Sequence, residues 1–282
     1  MSTKKTAPTA SPSGTMPTAV TTSPPSGSPA APVATHCPYR QSSLLQQALT
    51  PDKMRVAFFL GAGCPVAIKV PDGAGNRPLI PDVAELTKQV GAAIAATPNK
   101  DAYATIVSRV INRGIKEPSI ENILTHLRGL IDIIGSGEID GLKHKDLMAI
   151  DDCICSATTT IVTAALPGDR TPYHQLATWI GGIPRANPIE LFTSNYDLLA
   201  EQALEQIRVP FFDGFVGSDR TFFDIASMEL DSLPARWARL WKVHGSVNWW
   251  RTKNGNVERR RESLAADDRQ MSRVRLSGHA SV

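Results

Sequence analysis

Seven mainly apolar residues, Met54-Arg-Val-Ala-Phe-Phe-Leu60, have the length of one buried strand and stop at Gly61-Ala62-Gly63. The same order of strand and then small or polar turn occurs twice more. Ile189-Glu-Leu-Phe192 runs into Thr193-Ser-Asn-Tyr-Asp197 and a helical run of Leu198, Leu199, Gln202, Ala203 and Ile207, while Leu240-Trp-Lys-Val243 runs into His244-Gly245-Ser246. Such a pattern predicts an α/β fold with a Rossmann-like parallel sheet. In open sheets of this kind ligands bind beyond the carboxyl ends of the strands, so all three turns can face one crevice.

Between the first and second strands the periodicity is helical. Val83, Leu86, Val90 and Ile94 form a stripe with Asp82 as N-cap and Pro98 beyond its end. Tyr103, Ile106, Val107, Val110 and Ile111 form another that ends at Gly114, and Ile120, Ile123, Leu124, Leu127, Leu130, Ile131 and Ile134 a third that ends at Gly135. A further helix is expected over 145–165. Residues 99–166 therefore read as a helical insertion without strands, its stripes packed on one another.

The three turns differ in chemistry. Gly61 and Gly63 let backbone approach a pyrophosphate, and a helix starting near Cys64 would supply N–H groups. The match to G-x-G-x-x-G stops short, because Val66 stands where the third glycine belongs, so an ordinary tight turn is equally compatible. Thr193, Ser194 and Asn195 bring two hydroxyls and an amide to a strand end, suited to ribose hydroxyls or a water, but also to a helix cap. His244, beside Gly245, exchanges protons near neutrality, although a lone histidine is more often structural.

Composition narrows the function classes. Residues 251–282 hold eight Lys/Arg and four Asp/Glu, whereas the remaining 250 hold 22 and 23, which argues against nucleic acid binding by the body. Cys37, Cys64, Cys153 and Cys155 form no disulfide framework, and the Cys153-x-Cys155 pair sits in an apolar helical run without the four donors zinc needs, so no metal is expected. No run of 18 apolar residues exists, and the expected compartment is the cytoplasm, without a membrane partner. Residues 1–36 contain 27 Pro, Ser, Thr or Ala and no acid or aromatic, so 1–40 is expected to be a disordered tail.

Taken in order, Gly-Ala-Gly after an apolar strand, Thr193-x-Asn195-Tyr-Asp197, and Lys242-x-His244-Gly-Ser-x-x-Trp249 resemble the sirtuin-like domains. The resemblance covers about 42–250. With Pro118-Ser-Ile-Glu-Asn-Ile-Leu124 ahead of the insertion, it looks like the zinc-less bacterial branch associated with antiphage defence, whose members are typically NAD hydrolases. It implies that Gly61, Ala62, Gly63 and Cys64 line an NAD site with Thr193, Ser194, Gly245 and Ser246. It further implies that Asn195 orients ribose or the attacking water and that His244 is the base. Asp197 is expected to support its turn, and Asp82, within Ile80-Pro81-Asp82, to reach the nicotinamide pocket. The alternatives are an NAD-dependent protein deacylase, which generally uses a four-cysteine zinc lobe absent here, and a silent binding module. A homo-oligomer or a defence-system partner is the expected assembly.

Two departures stand out. The family usually places Ser where this chain has Pro65, which lacks both a hydroxyl and an N–H. Family members also continue past the His-Gly turn with further strands, whereas 251–282 reads as a charged, disordered end. The C-terminal part of the sheet is therefore expected to be incomplete, leaving an unpaired edge and an exposed apolar face.

Overall fold

A computed structural model of the chain describes residues 37–50, 54–168, 170–182, 185–234, 236–252, 254–260 and 272–273. The expected tail at 1–36 lies outside them, as does most of 261–282. By internal contacts the chain divides into Met1–Leu44 and Leu45–Val282, the first opening α1 (Pro38–Ala48).

The body begins with β1 (Ala57–Leu60), the short α2 (Gly63–Val66), a hairpin of β2 (Lys69–Asp72) and β3 (Gly75–Pro78), and α3 (Val83–Ala95). The insertion follows as α4 (Lys100–Asn112), α5 (Ile120–Ile134), β4 (Glu138–Ile139), β5 (Leu142–Lys143) and α6 (His144–Val162). Then come α7 (Pro172–Gly182), β6 (Ile189–Thr193), α8 (Leu199–Ile207), β7 (Phe211–Phe212), β8 (Phe215–Val216), β9 (Phe222–Phe223) and α9 (Ile225–Met228). The last strands are β10 (Ala238–Lys242), β11 (Trp249–Arg251), β12 (Val257–Arg259) and β13 (Ser272–Arg273).

The central sheet has the order β1-β6-β10-β7, and every pairing in it is parallel. This is the Rossmann-like α/β architecture the strand pattern predicts. Ile189, Leu191 and Thr193 of β6 are buried on one side, as are Ala238 and Leu240 of β10. Trp179 of α7 meets Phe58 of β1 edge-on at 5.5 Å, and α7 packs along α8. The opposite side of the strands carries Phe59, Phe192 and Trp241 in one cross-strand row, the last two stacked at 5.6 Å. Phe59 is 68% exposed, whereas Phe192 and Trp241 are half-buried beside the Glu190–Arg239 ion pair on the same side.

Helices of the insertion form where the stripes predict. Asp82 caps α3 by accepting from the Glu85 N–H at 2.8 Å, and Ser119 caps α5 in a reciprocal box with Asn122. Two two-residue strands, β4 and β5, interrupt the otherwise helical stretch where no strand was expected. Between α5 and α6 lies a buried ion pair, Arg128 Nε to Asp151 Oδ1 at 2.7 Å. Beside it, burial and then the Asp151 charge push the Cys155 thiol up to about 12, so this cysteine is an inert core group, as its apolar setting predicts.

The end of the chain departs from expectation. Residues 249–259 form an antiparallel pair, β11 with β12, inside a second sheet of order β13-β11-β12-β9-β8. What holds it is an aromatic cluster: Phe215 contacts Phe223 at 5.5 Å and Trp249 at 5.2 Å, while the Arg259 guanidinium lies 5.1 Å from the Phe215 ring and pairs with Asp213. Alternating arginines and glutamates read as solvated chain until these partners from 211–223 are in place.

Candidate active site at the ends of the parallel strands

Backbone register decides how the three turns meet. Leu60 pairs with Thr193 and Thr193 with Lys242, so β1, β6 and β10 end at one level. The turns that follow them, at Gly61, Ser194 and Val243, therefore leave the sheet along the same edge.

Side-chain bonds then tie the turns together. Thr193 Oγ1 donates to the Leu60 carbonyl at 2.9 Å and accepts the Asn195 N–H at 3.0 Å. The Asn195 side-chain amide donates to the Gly61 carbonyl at 3.0 Å. On the other side the Val243 N–H donates to the Thr193 carbonyl at 3.0 Å, and the Val247 N–H to the Tyr196 carbonyl at the same distance. Ser246 Oγ reaches that carbonyl at 3.4 Å. Gly245 has φ +85°, a conformation that favours glycine, and turns the chain so that exposed His244 stands out from β10. The His244 and Tyr196 rings lie 6.2 Å apart.

In the glycine turn, a Cβ at Gly61 or at Gly63 would meet no atom within 4 Å, and neither residue has positive φ. Neither the backbone conformation nor the chain's own packing calls for glycine here. What glycine does supply is unobstructed approach to the backbone between β1 and α2. Cys64 donates its N–H back to the Gly61 carbonyl at 3.0 Å, and burial raises its thiol above the ordinary range. Pro65 is buried in α2, where its missing N–H leaves no main-chain bond unmade in the first turn of a helix.

Asp197 is 6% exposed and accepts the Leu199 N–H at 3.0 Å, the turn-supporting contact expected of it. Burial raises its pKa, opposed by nearby Lys242. The Lys242 ammonium donates to the Asp197 carbonyl and to Glu201 Oε1, the latter at 2.9 Å, so β10, the Asn-Tyr-Asp turn and α8 are joined beneath the crevice. Asp82, by contrast, is engaged as the cap of α3.

Sequence reasoning missed Tyr173. It sits on α7, 6% exposed, with the Asn195 side chain as a hydrogen-bonding neighbour and the charge of Asp197 close by. Burial drives its pKa far above the ordinary tyrosine range. A neutral phenol beside Asn195 can help hold the amide that a ligand would meet. The available signal was Thr171-Pro172, a cap followed by proline at the first helical position, which marks the start of α7.

In open α/β sheets ligands bind beyond the carboxyl ends of the strands, and here two polar turns and a glycine turn share that edge. Residues 189–273 match the family model described as SIR2-like domain, and the match supports a sirtuin-like domain in this chain. The matched segment contains Thr193–Asp197 and His244–Ser246, and it extends past residue 250 through β11 and β12. The glycine turn lies outside it, and is joined to it by the β1–β6 pairing and the Asn195–Gly61 bond. A search for similar curated proteins found no match. A SIR2-like domain implies use of NAD. Among the described residues no group of three or more His, Cys, Asp or Glu could hold a metal ion, and no helix is long and apolar enough to cross a membrane.

Proposed function

We propose that this protein is an NAD glycohydrolase that cleaves the nicotinamide–ribose bond to give nicotinamide and ADP-ribose. The observation that carries the reading is the single edge formed by Leu60, Thr193 and Lys242, from which the Gly61 turn, Asn195 and His244 all depart. The pyrophosphate would lie over the open glycine turn, where main-chain N–H groups are approachable. Asn195, anchored through Gly61, would orient the ribose or the water.

The chemistry suits these groups. Water attacks the anomeric carbon, the carbon–nitrogen bond breaks, and nicotinamide leaves with the bonding pair as a neutral base, so no acid is needed for the leaving group. His244 accepts the proton that the water loses. Positioned dipoles rather than a metal stabilise the positive charge developing on the sugar. Hydrolysis is favoured over protein deacylation because Cys37, Cys64, Cys153 and Cys155 do not form the four-cysteine zinc lobe that frames a peptide groove in deacylases. A role in antiphage defence, in the cytoplasm and with a homo-oligomer or defence-system protein as the working form, is part of the same proposal.

Nicotinamide release followed by product chromatography tests it. The wild-type chain should convert NAD to nicotinamide and ADP-ribose, and His244→Ala should slow release about 10²–10⁴-fold, the usual contribution of a general base. Wild-type turnover in His244→Ala would remove the imidazole from the mechanism. A chain that releases nicotinamide only when an acylated peptide is added would instead be a deacylase.

A further inference from the structure

A cavity of about 940 Å³ lies between α4 and α5, closed at one end by the β4–β5 turn, and no residue of the three strand-end turns lines it. Its volume is that of a small-molecule site. Arg109 and Arg113 at the end of α4 and His126 of α5 line its charged part; Leu130 and Ile133, further along α5, line its apolar part, Ile133 being 75% exposed.

The hydrogen bonds of the charged wall are polarised in one direction. Arg113 Nη1 lies 2.7 Å from His126 Nδ1. A guanidinium can only donate, so Nδ1 is the acceptor and the ring proton sits on Nε2. That Nε2 is buried and has no hydrogen-bond partner among the described residues, and the same is true of Arg109 Nε. Asp140 lines the cavity too, but its carboxylate is already engaged by Arg109 Nη1. Both unspent polar atoms on this wall are therefore donors, at a place where two guanidiniums already converge. Burial of a donor without its acceptor is unfavourable, and an oxyanion that reaches either donor removes that cost.

We propose that this cavity binds a small phosphorylated organic molecule, its phosphoryl oxygens accepting from Arg109, Arg113 and His126 Nε2 and its apolar part resting on Leu130 and Ile133. The three donors suit a tetrahedral group with several acceptor oxygens, and the aliphatic wall suits a body larger than inorganic phosphate. Such a ligand would bridge two helices of the insertion without touching the residues assigned to NAD.

Phenyl phosphate is the probe, with phenol and inorganic phosphate as controls, titrated into the full chain while the His126 ring signals are followed by nitrogen-correlated NMR. Phenyl phosphate should shift the Nε2 resonance and bind at least about tenfold more tightly than phenol, the worth of a charge-assisted hydrogen bond. Inorganic phosphate should shift the same resonance more weakly. Arg113→Gln, a change at an exposed residue, should melt as the wild type does and lose about tenfold in affinity. A second variant, His126→Gln, should also weaken binding of phenyl phosphate. An unmoved His126 resonance, equal binding of phenol, or undiminished affinity in Arg113→Gln overturns the proposal. None of these readouts depends on NAD turnover, so the two assignments stand or fall separately.

Discussion

At the strand ends the side chains that join the turns are anchored on main-chain carbonyls, whereas in the helical insertion the arginines are held by other side chains. Thr193, Asn195, Lys242 and Ser246 each donate to a backbone oxygen, at Leu60, Gly61, Asp197 and Tyr196 respectively. Arg128 pairs with Asp151, Arg109 with Asp140 and Arg113 with His126. A main-chain acceptor keeps its position when a neighbouring side chain is changed; a side-chain partner does not survive its own substitution. The first arrangement suits a site whose geometry must persist, and the second, where the pair is buried as at Arg128 and Asp151, couples stability to the identity of the partner.

Asp151→Ala should give the largest effect on stability. It removes the carboxylate that accepts from Arg128, 6% exposed, at 2.7 Å, and loss of one partner from a buried pair costs up to about 3–5 kcal/mol. Urea denaturation measures this. A loss no larger than that from Thr193→Val, which removes two main-chain hydrogen bonds of about 1 kcal/mol each, would erase the contrast between the two regions.

Tyr173→Phe sharpens the comparison from the other side. Its hydroxyl is buried beside Asn195, so removing it should cost no more than about 1 kcal/mol, the worth of one neutral hydrogen bond. Because Asn195 is its neighbour, the same change should raise the KM for NAD if the phenol serves the ligand. A destabilised variant with unchanged KM would assign Tyr173 to the core alone.

The smallest effect is on acid stability. Burial, then the charges of Arg113 and Arg109, lower the His126 pKa from its ordinary 6.5. A histidine whose folded pKa is depressed contributes stability above the unfolded value and loses it as pH falls through the folded one. Melting temperature should therefore decline on acidification below 6.5, and His126→Gln should flatten that limb. The ring is only partly buried, so solvent screening keeps the change small. An unaltered acid limb in His126→Gln would show that other groups set it.

Much of the architecture was legible because each element carried its own signal. The stripe from Val83 to Ile94 with Asp82 ahead of it, and the stripe from Ile120 to Ile134 behind Ser119, correspond to α3 and α5 within a residue or two. The run ending at Leu60 and the runs at 189 and 240 became the three aligned strands. Missed elements had weak local signals or distant partners. β7 is two residues long and exists through its pairing with β10, and β12 is a strand because Thr221, Asp213 and Phe215 receive it. α7 escaped notice because Tyr173, His174, Ala177 and Ile180 bury a mixed polar and apolar face.

Hydrophobic period and chain punctuation, both properties of short windows, determined by themselves that an α/β sheet would carry three polar or glycine turns and a helical insertion. Tertiary structure alone decided that Leu60, Thr193 and Lys242 end level, that the Asn195 amide is anchored on Gly61, and that Tyr173 joins them. It also decided which way each bond on the Arg109, Arg113 and His126 wall points. Register and hydrogen-bond direction arise between segments more than 100 residues apart in one case and across two helices in the other. No local sequence pattern encodes either.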